Sequence, residues 1–587
     1  MTKLGKIPSW DLTDFYKNIK DPQIDMDLKL LGDEAEKFSK KYEGKINELN
    51  AENLLKSIQS YENTSEIMGK ISSYSYLIYA SDLSDPDNLA FHQNTSEKLN
   101  SLSTKLVFFT LEINKITDAN LKNLLTNEKL ARYQPFIRDI RSFKKFELSS
   151  ELEKFNIDKN VTGRNAFIRL FDETVSNLEF TYEKKTLNSQ EIFDLLSNKD
   201  ETIRKTAAKA IGKTFEQNIK LFAFITNILA KDKDTSDKRR GFKTPISSRN
   251  LNNCIEDEVV ETLITKVKEN YKDVSHRYYK IKAKILGKKH LNYWDRNAPL
   301  SGQEDLTTFE DAKDLILEAY GEFNPKMKEI GQTFFDKNWI DAKVVKGKNS
   351  GAFSHPTVPS VHPYILMNYQ GKVRDIMTLA HELGHGVHQQ LAKKQGYLMS
   401  DTPLTLAETA SVFGEQLTFQ KILKRETNSE KKKLIIANKV EDMINTVIRQ
   451  IAFLEFEKKV HENRKNGELS LDQINKFWMD VQEESLGDVF KYDEEYKYFW
   501  CYIPHFIHSP FYVYSYAFGD CLVNSLYGIY QSGSIKDFEN KYIKMLESGG
   551  TKHHKDLLKP FDLDISNPDF WQAGLDVIIG YINQLEE

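Results

Sequence analysis

The chain has 587 residues, 40% hydrophobic and 29% charged, with a formal net charge of -4 at pH 7. That length can bury a large core and predicts two lobes, while the interspersed charges exclude a strong preference for nucleic acid or an anionic membrane. Three cysteines exclude a disulfide framework, no apolar run is long enough to span a bilayer, and the opening MTKLGKIPSWDLTD lacks the apolar stretch of a signal peptide, so a cytoplasmic protein without a membrane partner is expected.

In chain order, apolar residues at helical spacing with Lys and Glu between them predict helices within residues 24 to 60 and 89 to 116. NLEFTYEKKT (177 to 186) carries a strand signal, and helical spacing resumes over 190 to 231. The polar stretch KDKDTSDKRRGFKTPISSRN (231 to 250) reads as a loop between helical blocks, or as a hinge or rim element. A helix over 257 to 286 follows, then a short strand signal in WIDAKVVKG (339 to 347). NSGAFSHPTVPSVHPYILMNYQ (349 to 370) holds two strand-like runs around a loop with three prolines. Its Gly351, Ala352 and Phe353 either belong to a plain hairpin or offer an edge that pairs with an extended peptide backbone. The chain is therefore mainly α with a small β element.

TLAHELGHGVHQQL (378 to 391) contains His381, Glu382 and His385 in the order H-E-x-x-H. On a helix, positions i and i+4 share a face, so both imidazoles can hold one metal ion, with Glu382 about 100° away and able to take a proton from water. That is the chemistry of a zinc peptidase. Ile376, Ala380, Leu383, Val387 and Leu391 form an apolar stripe on the opposite side. Gly384 and Gly386 lower helix propensity and imply a close approach to the backbone. His388 lies about 10 Å along the axis from His381, too far to share the ion. It reads as a residue that lines the site or orients the ligands, or as a solvated surface histidine. The pattern H-E-x-x-H-x-x-G-x-x-H is excluded, because positions 388 and 391 are His and Leu.

A catalytic zinc keeps three protein ligands. LTLAETASVFGEQLTF (404 to 419) reads as one helix with an apolar stripe of Leu406, Ala410, Phe413 and Leu417. Glu408, Ser411 and Glu415 share the other face, which makes Glu408 the candidate third ligand and places Ser411 and Glu415 to orient the ligands. Gly396 and Pro403 allow the chain to reverse between the two helices. A further helical pattern covers 430 to 465. Residues 501 to 519 are rich in His and Tyr, donors suited to a developing oxyanion. Ser509 and Pro510 read as a helix N-cap and first turn, which would place Tyr512 and Tyr516 on one face with Tyr514 pointing away. Read as a strand, Tyr512, Tyr514 and Tyr516 would share a face. His505 and His508 precede them in either case.

The run PYILMNYQGKVRDIMTLAHELGHGVHQ (363 to 389), the E-T-A-S-x-x-x-E block from Glu408 to Glu415, IPHFIHSPFYVYSYAFG (503 to 519) and the opening SWDLTDFY (9 to 16) resemble the oligoendopeptidase F group of the thimet-oligopeptidase-like zinc peptidases. The resemblance spans nearly the whole chain. It implies a two-lobed helical zincin-type metallopeptidase, with its β element at an active-site cleft and a deep central channel that limits substrates to short, unstructured oligopeptides. It further implies an N-terminal helical domain over 1–190 and a catalytic domain over 191–587. One zinc ion would be bound by His381, His385 and Glu408, with Glu382 as general base. One His and two Tyr from the 501 to 519 region would touch substrate and the oxyanion, and Gly351 to Phe353 would form a substrate-binding edge. A thermolysin-type site would read E-x-x-x-D, and Val412 stands where that Asp would be. Oligopeptides are the expected partners, without nucleic acid, and the chain is expected to be a monomer or small homo-oligomer. The alternatives are a dipeptidyl carboxypeptidase on the same scaffold and a peptide-binding relative without activity. Glu382, which is no ligand, weighs against the latter.

Overall fold

Helices begin where a polar side chain can cap them and continue where apolar residues recur at helical spacing. Asp21 caps Pro22–Tyr42 by accepting from the Gln23 amide, and that helix buries Ile24, Leu31, Ala35, Phe38 and Tyr42 along one side. Asn50 caps Ala51–Ser81 in the same way. The computed structural model describes residues 4–300 and 306–587, in which helices predominate and strands are short. Among these residues no helix is long and apolar enough to cross a membrane. Cys501 and Cys521 are buried thiols.

The chain divides into two compact units, each woven from separated stretches. The first comprises Met1–Lys144, Gln303–Arg425 and Gly533–Leu563. One of its cores packs Phe38, Tyr42, Phe109 and Ile113 together, with the Tyr61 ring 4.7 Å from that of Phe109. Its sheet has three strands: Tyr364–Leu366 in the centre pairs in parallel with Ile340–Asp341 and antiparallel with the edge strand Phe353–His355. Of the proposed edge residues, only Phe353 lies in that strand, and Gly351 and Ala352 lead into it.

Three helices of this unit meet at Val373–Ala392, whose buried stripe of Ile376, Ala380, Leu383, Val387 and Leu391 is the one expected. A methyl group on Gly384 would strike the Ala410 carbonyl and Ser411 of the neighbouring segment, and one on Gly386 would meet the Phe334 ring at 2.5 Å. The close approach inferred from these glycines is therefore helix packing. Tyr320, fully buried, donates from its hydroxyl to the Ala380 carbonyl at 2.6 Å and ties a third helix, Phe309–Phe323, to the histidine helix.

The second unit comprises Lys145–Gly302, Glu426–Ser532 and Asp564–Glu587. Its longest element is the 40-residue helix Glu201–Arg240. The polar stretch expected to begin a loop at 231 instead completes this helix and ends it at Gly241, which adopts the left-handed conformation with φ 83°. Charge pairs one turn apart hold this part: Lys233 with Asp237 at 2.9 Å, and Lys231 and Lys238 both with Asp234 at 2.8 Å. The strand signal at 177 to 186 becomes a hairpin of Phe180–Tyr182 and Lys185–Leu187. At the C-terminal end, Tyr514–Ser532 packs on Pro568–Glu586, where Gly574 leaves room for the Cys521 carbonyl and Ser525 donates to the Phe570 carbonyl at 2.6 Å.

Candidate metal centre

The histidine helix presents His381 and His385 one turn apart, with ring centroids 4.9 Å apart and ring planes at 80°. Glu408 comes from a different position than a single helix over 404 to 419 would give it. The structure breaks that helix into Leu404–Ala407 and Ser411–Arg425, with Glu408 at the joint. Side-chain hydrogen bonds account for the break: Thr409 Oγ1 donates to the Leu406 carbonyl at 2.7 Å, and Tyr542 donates its hydroxyl to the Thr409 carbonyl. Glu408 Oε2 lies 3.4 Å from His381 Nε2 and 3.3 Å from His385 Nε2. The three ligand atoms lie within 4.8 Å of one another, and the side chains keep 27%, 18% and 23% of their surface exposed for His381, His385 and Glu408. Two imidazoles and a carboxylate converging in this way form a donor set of the type that holds zinc and leaves a coordination position open.

The surrounding groups fix these side chains. His381 Nδ1 donates to Glu415 Oε2 at 3.2 Å, which leaves Nε2 as the atom facing Glu408 and His385. Ser411 Oγ donates to Glu408 Oε2 at 2.6 Å. Burial alone would raise the Glu408 carboxyl, but His385, His381 and the Ser411 hydroxyl together hold it well below the usual carboxylate range. Burial would lower His381, yet the hydrogen bond to Glu415 and the charges of Glu408, Glu382 and Glu415 push it up to about 9 in the metal-free protein. This excess of negative charge favours a cation at the centre.

Glu382 is buried, with 7% of its surface exposed, and burial raises its pKa against the opposing pull of His381 and His385. The backbone amide of Ser354, in the edge strand, donates to it. Sequence patterns gave no hint of what holds Ser354 there. Gln389, one turn beyond His385, clamps it at two points: Ser354 Oγ donates to Gln389 Oε1 at 2.9 Å, and Gln389 Nε2 donates to the Ser354 carbonyl at 3.2 Å. The only local signal was the position of Gln389 at i+4 from His385. His388 is buried, which corrects the reading of a solvated histidine. Its Nε2 lies 3.4 Å from Thr402 Oγ1, and burial together with the charge of His385 pushes its pKa down to about 4.

The His- and Tyr-rich segment belongs to the second unit. Ser509 and Pro510 do not start its helix: a one-turn helix covers His505–His508, and the long helix begins at Tyr514. Between them Phe511 takes a φ of 62°, held by the buried Glu457 carboxylate, which accepts its amide at 2.8 Å. Arg249 Nε donates to the Pro510 carbonyl at 3.2 Å. The helix expected from Ser509 is thus absent and Tyr512 lies outside the helix, but the grouping of the tyrosines is that of the helical alternative. Tyr512 and Tyr516 pack edge to face with centroids 5.3 Å apart, and His505 Nε2 lies 3.3 Å from the Tyr516 hydroxyl. Tyr514 points into the core, fully buried, with its hydroxyl accepting from Asn253 Nδ2 at 2.8 Å. His508 is turned to Asp172 at 2.7 Å. The segment thus brings His505, Tyr512 and Tyr516 together and separates Tyr514 and His508 from them.

Comparison with known proteins follows the same lines. The model of peptidase family M3 matches residues 194–577, and that described as oligopeptidase F matches residues 112–180. An oligoendopeptidase F homolog of Borreliella burgdorferi is 29% identical, over 96% of this chain and 95% of its own length. Oligopeptidase PepF of Bacillus subtilis is 26% identical, over 93% and 82%. The crystal structure of oligoendopeptidase-F from Enterococcus faecium superposes with a TM-score of 0.74 at 21% identity, covering 96% of this chain and 98% of that one, a likeness of fold.

Proposed function

The chain belongs to peptidase family M3 and is a metalloendopeptidase, and we propose that it uses one zinc ion to hydrolyse short, unstructured oligopeptides. The observation that carries this reading is the convergence of His381 Nε2, His385 Nε2 and Glu408 Oε2 within 4.8 Å, beside a buried Glu382. Zinc held there would supply a Lewis acid for the scissile carbonyl and make water a stronger acid. Glu382 takes the proton of the attacking water, a role that suits a carboxylate whose pKa is raised by burial. It then delivers that proton to the leaving amine. Glu415 and Ser411 hold the ligands His381 and Glu408 in place. Gly351, Ala352 and Phe353 are assigned to the substrate backbone, supported by the edge position of Phe353–His355. The proposed catalytic domain is 191–587, preceded by an N-terminal domain over 1–190.

Short synthetic peptides, free or amidated at the C-terminus, test the reading by mass spectrometry of the products with and without a chelator. Cleavage of internal bonds in both forms, abolished by the chelator and restored by zinc, is expected. Cleavage confined to free C-termini would replace the endopeptidase by a dipeptidyl carboxypeptidase.

His505, Tyr512 and Tyr516 are proposed as donors to the developing oxyanion, supported by their mutual packing and by the resemblance of the 503 to 519 run. Tyr516→Phe then lowers kcat about 100-fold or more with little change in KM. Tyr514→Phe, whose hydroxyl serves the core contact with Asn253, lowers Tm instead and leaves kcat near normal. Steady-state kinetics and thermal unfolding of the two variants separate the roles, and normal turnover in Tyr516→Phe removes that hydroxyl from the mechanism.

A further inference from the structure

The second unit contains a cavity of about 60 Å³ lined by Tyr293, Trp294, Arg296, Arg449, Trp478 and Tyr502 among others. No carboxylate lines it. Three of its lining side chains carry a buried N–H with no partner, namely Trp294 Nε1, Arg296 Nε and Arg449 Nε. The Arg449 guanidinium forms no hydrogen bond or ion pair among the described residues and lies over the Phe453 ring, 5.0 Å from its centroid. Arg296 Nη2 reaches Asn445 Oδ1 at 3.4 Å, a long contact, and the hydroxyls of Tyr279, Tyr492 and Tyr496 beside it are held neutral by burial.

The acids of this region are engaged elsewhere. Asp295 pairs with Arg204 at 2.7 Å and with Lys288 at 2.6 Å. Glu441 pairs with Lys282 at 2.8 Å and accepts from Tyr278 at 2.6 Å. Glu495 is held by Lys209 and the Tyr293 hydroxyl, both at 2.6 Å. Two guanidiniums, which stay charged at any working pH, therefore share one cavity without a counterion. They repel each other, and leaving their N–H groups unmet in a poorly solvated space is costly. One anion in the cavity lowers both costs, because it neutralises a charge and offers the unpartnered donors of its lining an acceptor. The volume is several times that needed for one water, which gives room for an ion of halide size.

We propose that this cavity binds a small inorganic anion of halide size, held by Arg296, Arg449 and the Trp294 N–H. The peptidase chemistry does not require it, so its effect falls on the stability of the unit that surrounds it. The test is thermal unfolding of the full-length protein at constant ionic strength, with sodium gluconate replaced stepwise by sodium chloride. Saturable stabilisation is expected, with Tm rising by about 2 °C or more, and bromide should substitute for chloride. In Arg449→Met the response to chloride should vanish. Should that variant not fold, chloride NMR line widths on the unmodified protein decide the matter: broadening that bromide reverses supports the site. Equal Tm in gluconate and chloride, absence of line broadening, or an undiminished response in Arg449→Met overturns it. Stabilisation by phosphate or sulfate but not by chloride, lost in Arg449→Met, would overturn the assignment to halide size.

Discussion

Glu382→Gln is expected to retain one equivalent of zinc while kcat falls about 1,000-fold or more. The amide copies the carboxylate in shape, so its oxygen can still accept the Ser354 amide and the histidine helix keeps its packing. It cannot take a proton, and the proposed role is to take one from water and pass it to the leaving amine. Because burial raises the pKa of Glu382 in the folded, metal-free protein, the charged form is disfavoured there; after zinc is removed from both proteins, the neutral amide should leave Tm at or above the unsubstituted value at neutral pH. Metal analysis and steady-state kinetics on the zinc-loaded protein, and thermal unfolding of the metal-free protein, give the three readouts. A Gln variant that still turns over at a tenth of the normal rate would sink the general-base assignment. Loss of zinc would instead show that Glu382 supports the metal site.

The parts of this centre legible in the sequence were those set by local periodicity. His381 and His385 share a face because they are four residues apart on one helix, and Gly384 marks close packing because only a residue without Cβ tolerates the Ala410 carbonyl there. Glu415 meets His381 Nδ1 from the helix Ser411–Arg425, and the break at Glu408 changes the path of the chain without disturbing that pairing. What stayed hidden depends on contacts distant in sequence. The Ser509–Pro510 helix start fails because Glu457, 54 residues upstream, captures the Phe511 amide. The break after Ala407 depends on Tyr542, 133 residues beyond Thr409. The stretch from 231 to 240 misled for a different reason. It has few apolar residues, so its period is faint, but its charges are spaced to pair along a helix. Composition suggested a loop where charge spacing alone carried the helical signal.

Glu408→Ala is expected to lose zinc on dialysis and to lose activity with it. Two imidazoles alone leave the ion under-coordinated, and the affinity should fall by more than about 100-fold. Glu415 cannot take over without a rearrangement, because it engages His381 at Nδ1, whereas the ligand atom Nε2 is on the far side of the ring. Ser411→Ala separates ligation from orientation. It removes the 2.6 Å hydrogen bond to Glu408 Oε2 but leaves the carboxylate in place, so a smaller loss, about 10-fold, is expected. Competition with a chromophoric chelator measures both affinities at a fixed pH, which matters because the proton on His381 must leave before its Nε2 can bind the ion. If dialysed Glu408→Ala still carries a full equivalent of zinc, the third ligand lies elsewhere and the short contacts from Glu408 to both histidines are only ion pairing. If Ser411→Ala loses as much affinity as Glu408→Ala, the hydroxyl rather than the carboxylate's charge governs the site.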